Sequence, residues 1–240
     1  MWERERSWFR AYLSGHFNQL LIFLFLVFLF RPYGRGPLYT AIWELCFTGV
    51  FFASVFNCRH PKRVKIAATV LGIPALLLNW ITLAFPWPVW VVVSQSLTLA
   101  FMALCTASIL YGVVLRARVT METLRGVVCA YFMIGFVFSF SYLLIEYLFP
   151  GSFHLIDRDV TALSHSHYLS EMMYFSFVTL LAIGYGDITP LTDFGQTIVI
   201  LEATMGQFYI AILVSRIVSV YSFISDKNLL NKIKEMTHHE

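Results

Sequence analysis

Six stretches of this sequence carry at most two charged side chains each, at about 12–30, 38–57, 66–85, 88–115, 124–148 and 194–224. A helix needs about 20 mostly apolar residues to cross a bilayer. Six such crossings use roughly 120 residues of a chain of 240, which leaves room only for short loops and tails. Composition agrees: 58% of residues are hydrophobic, 13% are charged and the mean hydropathy is +0.71, well beyond soluble domains. These values exclude a soluble enzyme, a nucleic-acid-binding module, a disordered regulator and an anchor with a large soluble head. The expected class is an all-α membrane protein.

The first stretch has the flank of a signal peptide, because Arg4, Arg6 and Arg10 precede an apolar run from Leu20 to Phe30. It is followed by Arg31-Pro32-Tyr33-Gly34-Arg35, with no small-x-small cleavage site, and so reads as a retained helix. The 17 Lys and Arg then test the topology. With a cytoplasmic N-terminus, the inner segments hold Arg4, Arg6, Arg10, Arg59, Lys62, Arg63, Lys65, Arg116, Arg118, Arg125, Lys227, Lys232 and Lys234, with Arg216 near the inner end of the last stretch. The outer loops hold only Arg31, Arg35 and Arg158. This positive-inside bias predicts six crossings with both termini cytoplasmic. The basic inner loops would also attract anionic lipid. Without a cleavable signal or an organelle presequence, the expected location is a bacterial inner membrane.

Cys46, Cys58, Cys105 and Cys129 sit in or at the ends of the apolar stretches, without C-x-x-C spacing or clustered His. They read as buried apolar thiols rather than a disulfide or metal site.

Between the fifth and sixth stretches lies a shorter apolar segment, 168–183, too short to span a bilayer, and it ends in Gly184-Tyr185-Gly186-Asp187. Irregular backbone at membrane depth is tolerated only where protein buries it or a water-filled cavity meets it. The segment is therefore expected to be a re-entrant helix followed by an extended loop. Alternating glycines reach backbone angles denied to L-residues. Consecutive carbonyls can then share one side, and a fourfold ring of them can replace the water shell of a potassium ion. One chain supplies one loop, so four chains are needed.

At these residues the sequence resembles the potassium-channel superfamily, in its six-helix, single-pore-loop branch. The resemblance is strongest from about Tyr168 to Tyr221, and Ile183-Gly184-Tyr185-Gly186-Asp187 matches the family's selectivity filter. The resemblance implies that the carbonyls of Ala182, Ile183, Gly184 and Tyr185 line the potassium sites, with Gly186 closing the filter. Tyr185 would turn its ring towards Tyr174 and Phe175 as an aromatic cuff. Asp187 would sit behind the outer mouth, either bonded to neighbouring protein or solvated. The helix over roughly 169–180 would aim its C-terminal dipole at a central cavity.

One position departs from the family pattern. The family usually has Thr where this chain has Ala182, and often Thr or Ser at Leu181. Ala182 keeps the carbonyl and loses the hydroxyl, so the innermost site should be more weakly occupied, with potassium selectivity retained but loosened. Two alternatives to a potassium-selective channel follow: a weakly selective monovalent cation channel, and a potassium transporter subunit. Transporters of that kind usually carry several degenerate loops in one chain, whereas this one has a single complete filter.

Gly206 falls 20 residues after Gly186, the register of the hinge glycine in bacterial two-helix potassium channels. It reads either as a hinge or as a packing glycine against the short helix. Gln207, Ile210 and Val214 recur at helical spacing and are expected to face the cavity. Glu202 lies one turn above Gly206, where a carboxylate is costly and therefore a candidate functional group. Its expected partner is a hydroxyl behind the filter such as Thr179, in a gating or a structural role. Glu44 in the second stretch is weighed in the same way.

The fourth stretch, 88–115, contains no Lys, Arg, Asp or Glu, whereas voltage sensors place several basic residues at three-residue intervals. Opening should depend little on voltage. The expected organisation is a four-helix sensor-like bundle over 1–118, a pore domain over 119–224 and a short cytoplasmic tail over 225–240. In that tail Leu229, Leu230, Ile233 and Met236 suit a short amphipathic helix capped by Ser225 and Asp226, or a solvated tail. Outside the membrane, His154, His165 and His167 stand among Asp157, Asp159 and Glu171. Such acidic groups would concentrate cations at the mouth. The resulting expectation is a homotetramer in a lipid bilayer that passes potassium ions, with no catalytic residue, cofactor or nucleic-acid partner. Its gating would come from the membrane part, a lipid or a separate partner.

Overall fold

The computed structural model describes residues 16–30, 37–57, 62–85, 87–114, 121–155 and 165–237. The chain is mostly helical. In order, its elements are α1 (His16–Leu29), α2 (Pro37–Asn57), α3 (Lys62–Ala84), α4 (Pro88–Val114), α5 (Met121–Leu148), β1 (Phe153–Leu155), α6 (His165–Leu180), β2 (Ile188–Pro190) and α7 (Asp193–Thr237). Among the described residues four helical spans are long and apolar enough to cross a membrane: Val64–Thr82, Pro88–Gly112, Glu122–Leu148 and Asp193–Ser215. Two further apolar spans, Phe17–Leu29 and Ala41–Val55, are shorter. The basic clusters at Arg4–Arg10, Arg31–Arg35, Arg59 and Arg116–Arg118, with Cys58, Asp157, Arg158 and Asp159, lie outside the described residues.

The helices pack in a chain of neighbours: α1 on α2, α3 on α4, α4 on α5, and α5 on both α6 and α1. Aromatic rings fill these contacts. Phe51 of α2 stacks on Phe101 of α4 at 4.3 Å, and Trp43 meets Phe47 edge-on at 4.9 Å. Phe28 of α1 touches Phe132 and Phe136 of α5 at 5.5 and 5.6 Å and Phe177 of α6 at 4.5 Å. The first helix thus reaches the short helix of its own chain. Phe25, Leu45 and Val70 stay on the outer faces at 64%, 63% and 66% exposure, as helices facing hydrocarbon rather than water would. Cys46, Cys105 and Cys129 are buried thiols in no disulfide.

β1 and β2 pair antiparallel, with Phe153 opposite Pro190, His154 opposite Thr189 and Leu155 opposite Ile188. The amide of Leu191 donates to the carbonyl of Ser152 at 2.8 Å, and the Glu146 carboxylate accepts from the amides of Gly151 and Phe153 at 2.7 and 3.1 Å. This clamp ties the end of α5 to the segment after the loop.

At its other end the last helix departs from expectation. α7 runs unbroken for 45 residues through Ser225 and Asp226, where a new helix start was expected. No Gly or Pro occurs between Gly206 and Thr237 to stop it. At 1.5 Å per residue it is about 67 Å long, more than twice the hydrocarbon core of about 30 Å.

Candidate functional site

The loop at 181–187 begins where α6 ends, and the helix end dictates its first turn. The Ile183 amide donates to the Val178 carbonyl at 2.9 Å, and the Ala182 amide to the Thr179 carbonyl at 2.8 Å. These nested bonds form a Schellman motif, which needs a left-handed residue just past the helix. Ala182 fills that place with φ +55°, although glycine is the usual occupant. The left-handed angle then recurs at Gly184, φ +60°, and Gly186, φ +80°, while Ile183 and Tyr185 do not share it. A Cβ added at Gly184 or Gly186 would meet nothing within 4 Å. Glycine is required there by the backbone angle, not by lack of space.

The loop is open on this chain. Residues 181–186 are all exposed, with Leu181 at 47%, Ile183 at 49% and Tyr185 at 69%. Of the expected aromatic cuff, Phe175 packs its ring on Tyr142 at 5.2 Å and Phe153 at 5.7 Å, while Tyr185 is exposed on this chain. Tyr174 is half-buried against the core. Asp187 is half-buried, and its carboxylate accepts from the next amide, Ile188, at 3.1 Å.

Behind the loop a polar node joins three helices. Glu202 of α7 is fully buried. Its Oε2 accepts from the Tyr142 hydroxyl of α5 at 2.5 Å, and its Oε1 lies 2.5 Å from Ser176 Oγ of α6. Ser176 Oγ also lies 2.7 Å from the Gly135 carbonyl of α5. The hydroxyl facing Glu202 is therefore Ser176 rather than Thr179. Ser176 shares a helix face with Leu180, one turn on, and both are fully buried, whereas Thr179 is half-buried.

Gly206 lies one turn below Glu202 on the same buried face of α7. A Cβ there would overlap the Leu180 carbonyl oxygen at the end of α6. The missing side chain lets α7 cross the helix end at backbone distance, as small residues do in membrane helix pairs. The helix passes through Gly206 without a break. Two tyrosines complete the contact: Tyr131 Oη donates to the Leu180 carbonyl at 3.3 Å, and Tyr209 Oη to the Val127 carbonyl at 2.5 Å.

Away from this face α7 is open. Gln207 and Val214 are exposed and Ile210 is half-buried, alongside Phe208 at 68% and Ile212 at 53% exposure. Of the groups expected at the mouth, His154 is exposed on β1, but Glu171 is buried at 3% exposure. It therefore does not stand at the surface of this chain. Among the described residues no group of three His, Cys, Asp or Glu could hold a metal ion. In the front half, buried Glu44 of α2 accepts from the side-chain amide of Asn79 of α3.

Sequence reasoning singled out Glu202 but not Tyr142, Ser176, Tyr131, Tyr209 or Glu146. Each is an ordinary polar residue in an apolar helix or at its end, and its role appears only when neighbouring helices are placed. The usable signal was Glu202 itself, since a buried carboxyl demands donors from its neighbours.

Comparison with known proteins agrees with this geometry. The sequence pattern of a family described as "Ion channel" matches residues 126–223, from early α5 through most of α7. "Protein LctB" of Bacillus caldotenax is 30% identical over 105 residues, which cover 42% of this chain and 74% of that protein. "Two-pore potassium channel 5" of Arabidopsis thaliana is 32% identical over 99 residues, or 41% of this chain. "Two pore potassium channel c" of Oryza sativa subsp. japonica is 31% identical over 104 residues, or 42% of this chain. The chain spans only 24% and 22% of the lengths of those plant relatives. No solved structure matches it. A short helix ending in a glycine-alternating loop, two long apolar helices around it and these similarities together identify the chain as an integral membrane protein of the ion-channel family, within the potassium-channel superfamily, and not an enzyme.

Proposed function

We propose that the chain forms a homotetrameric, potassium-selective channel that conducts passively. The observation carrying this reading is the recurrence of left-handed φ at Ala182, Gly184 and Gly186 in an exposed loop. In a strand successive carbonyls point to opposite sides. Alternating the hand of the backbone turns every second peptide over, so that amides gather on one side and carbonyls on the other. The carbonyls of Ala182, Ile183, Gly184 and Tyr185 then serve as potassium ligands in a fourfold ring. Exposure of the loop and of the open face of α7 supports assembly, because four copies would cover both. In the tetramer Tyr185 turns towards a neighbouring chain, and Gln207, Ile210 and Val214 border the cavity. Gly206 acts as the packing glycine that seats α7 against the end of α6.

The reading extends to six crossings with both termini cytoplasmic, α6 re-entrant from the outside, and a bacterial inner membrane. The front bundle, 1–118, packs on the pore domain, 119–224, of its own chain, as the contacts of Phe28 with α5 and α6 suggest, and 225–240 forms the cytoplasmic tail. α4 carries no charged residue, so opening depends weakly on voltage and is set by the membrane part, a lipid or a partner. Ala182 favours one second reading, a weakly selective monovalent cation channel, because its methyl offers no hydroxyl to the innermost ion. Purified protein in liposomes tests both. Potassium flux with sodium largely excluded supports the selective channel, equal permeability supports the second reading, and no flux contradicts both.

A further inference from the structure

The hydrogen bonds around Glu202 do not close unless the carboxyl holds a proton. Ser176 Oγ sits 2.7 Å from the Gly135 carbonyl and 2.5 Å from Glu202 Oε1. A carbonyl oxygen only accepts, and a hydroxyl carries one hydrogen. If Ser176 gives its hydrogen to Gly135, then Glu202 Oε1 must donate to Ser176. If it gives the hydrogen to Glu202, two oxygens face each other at 2.7 Å with nothing between them. Ser139 also donates to the Gly135 carbonyl at 2.7 Å, which adds no hydrogen to the short Ser176 contact. Tyr142 supplies the second bond, donating to Oε2. One proton on Oε1 satisfies every atom, leaving an acid that donates once and accepts once. It also removes a buried charge that both hydroxyls would otherwise have to hold.

We propose that Glu202 is a carboxylic acid whose proton is donated to Ser176, and that this neutral latch fixes α6 between α5 and α7 and so positions the loop. The placement supports the second part. Ser176 precedes Leu180 by one turn, Gly206 follows Glu202 by one turn, and Gly206 and Leu180 are themselves at backbone contact. The latch and the Gly206 crossing therefore hold α6 at two successive turns, the second at Leu180, two residues before Ala182. Glu202 is a positioning residue: it touches no ion, and acts on the loop through α6. The positioning half of the proposal rests on the channel reading; the proton does not.

The proposal is tested in two arms on the full chain in liposomes. Infrared spectra of wild type, Glu202→Gln and Glu44→Gln are compared in the carbonyl region of protonated carboxylic acids. A band lost in Glu202→Gln and kept in Glu44→Gln supports the proton; no band lost with Glu202 overturns it. The second arm measures reversal potentials in mixed potassium and sodium for Glu202→Gln, Glu202→Ala and Ser176→Ala. Glutamine puts an NH2 group where the acid has its O–H and a carbonyl where it has its acceptor oxygen, so Glu202→Gln should keep wild-type selectivity. Glu202→Ala and Ser176→Ala should raise relative sodium permeability several-fold, about 1 kcal/mol in ion discrimination for each fivefold change. Glu202→Gln as unselective as Glu202→Ala overturns the latch, as does unchanged selectivity in all three variants. A wild type without ion flux overturns the channel reading alone, and the infrared arm still decides the proton.

Discussion

The front helices α1–α4 and the α5–α7 region both bury apolar side chains in one core but use their polar atoms differently. In the front, rings and aliphatic side chains pack helix on helix, and most hydroxyls bond their own helix, as Thr106 does to Met102 and Ser96 to Val92. Polar links between helices occur there too, from Trp43 to the Val27 carbonyl, Trp80 to Thr48 and Asn79 to Glu44. In the rear, polar side chains cross between elements repeatedly: Glu202 to Tyr142 and Ser176, Tyr131 to Leu180, Tyr209 to Val127, Glu146 to the turn before β1. Hydrocarbon gives helices no hydrophobic reason to associate, so packing and interhelical bonds set geometry. The front needs a shape that stays together, whereas the rear must hold one loop in one conformation. Among the described residues the rear bonds converge on α6 and on the turn before β1, the two ends that anchor the loop.

Substitutions break or sharpen this contrast. The largest effect is expected at Gly184→Ala, because an L-residue in the left-handed region costs about 1–2 kcal/mol per residue and four chains would share one ring. Potassium flux should fall to background while Gly112→Ala, which meets nothing within 4 Å, leaves flux unchanged. Next comes Gly206→Ala. Its Cβ collides with backbone at Leu180, so thermal stability of the assembly should drop by about 1–3 kcal/mol, with altered selectivity. At Gly72 in the front, a Cβ would lie 2.9 Å from the Phe101 ring edge, and Gly72→Ala should cost stability without touching selectivity. Tyr142→Phe removes one donor from Glu202 and should cost about 1–3 kcal/mol, read as a lower melting temperature and raised sodium permeability. The front counterpart, Glu44→Gln, should leave reversal potentials unmoved. Smallest is Ala182→Gly, which relieves left-handed strain but loosens the unfolded chain. Its melting temperature should rise by an amount worth less than about 1 kcal/mol.

The contrast also governs what the sequence could reveal. Charge-free stretches and the Gly184-Tyr185-Gly186-Asp187 run mark the helices and the loop because hydrocarbon and backbone angles restrict single residues. Four described spans meet the length and apolarity of a crossing, and α1 and α2 supply shorter ones. The partner of Glu202 was not legible in the same way. Thr179 and Ser176 are both hydroxyls near the right depth, and only the rotation of α6 against α7 selects between them. The unbroken course of α7 through Ser225 was misjudged for a related reason: Ser and Asp cap helices only where something else has ended the previous one. Left-handed φ at Ala182 carries no compositional mark at all, since glycine is the residue that announces it.

The central claim is that the alternating loop selects potassium. Reversal potential of the wild-type protein in planar bilayers, with potassium on one side and sodium on the other, tests it most directly. The account predicts a reversal potential well displaced towards the potassium equilibrium, with Glu202→Gln following wild type. A reversal potential near zero would contradict it.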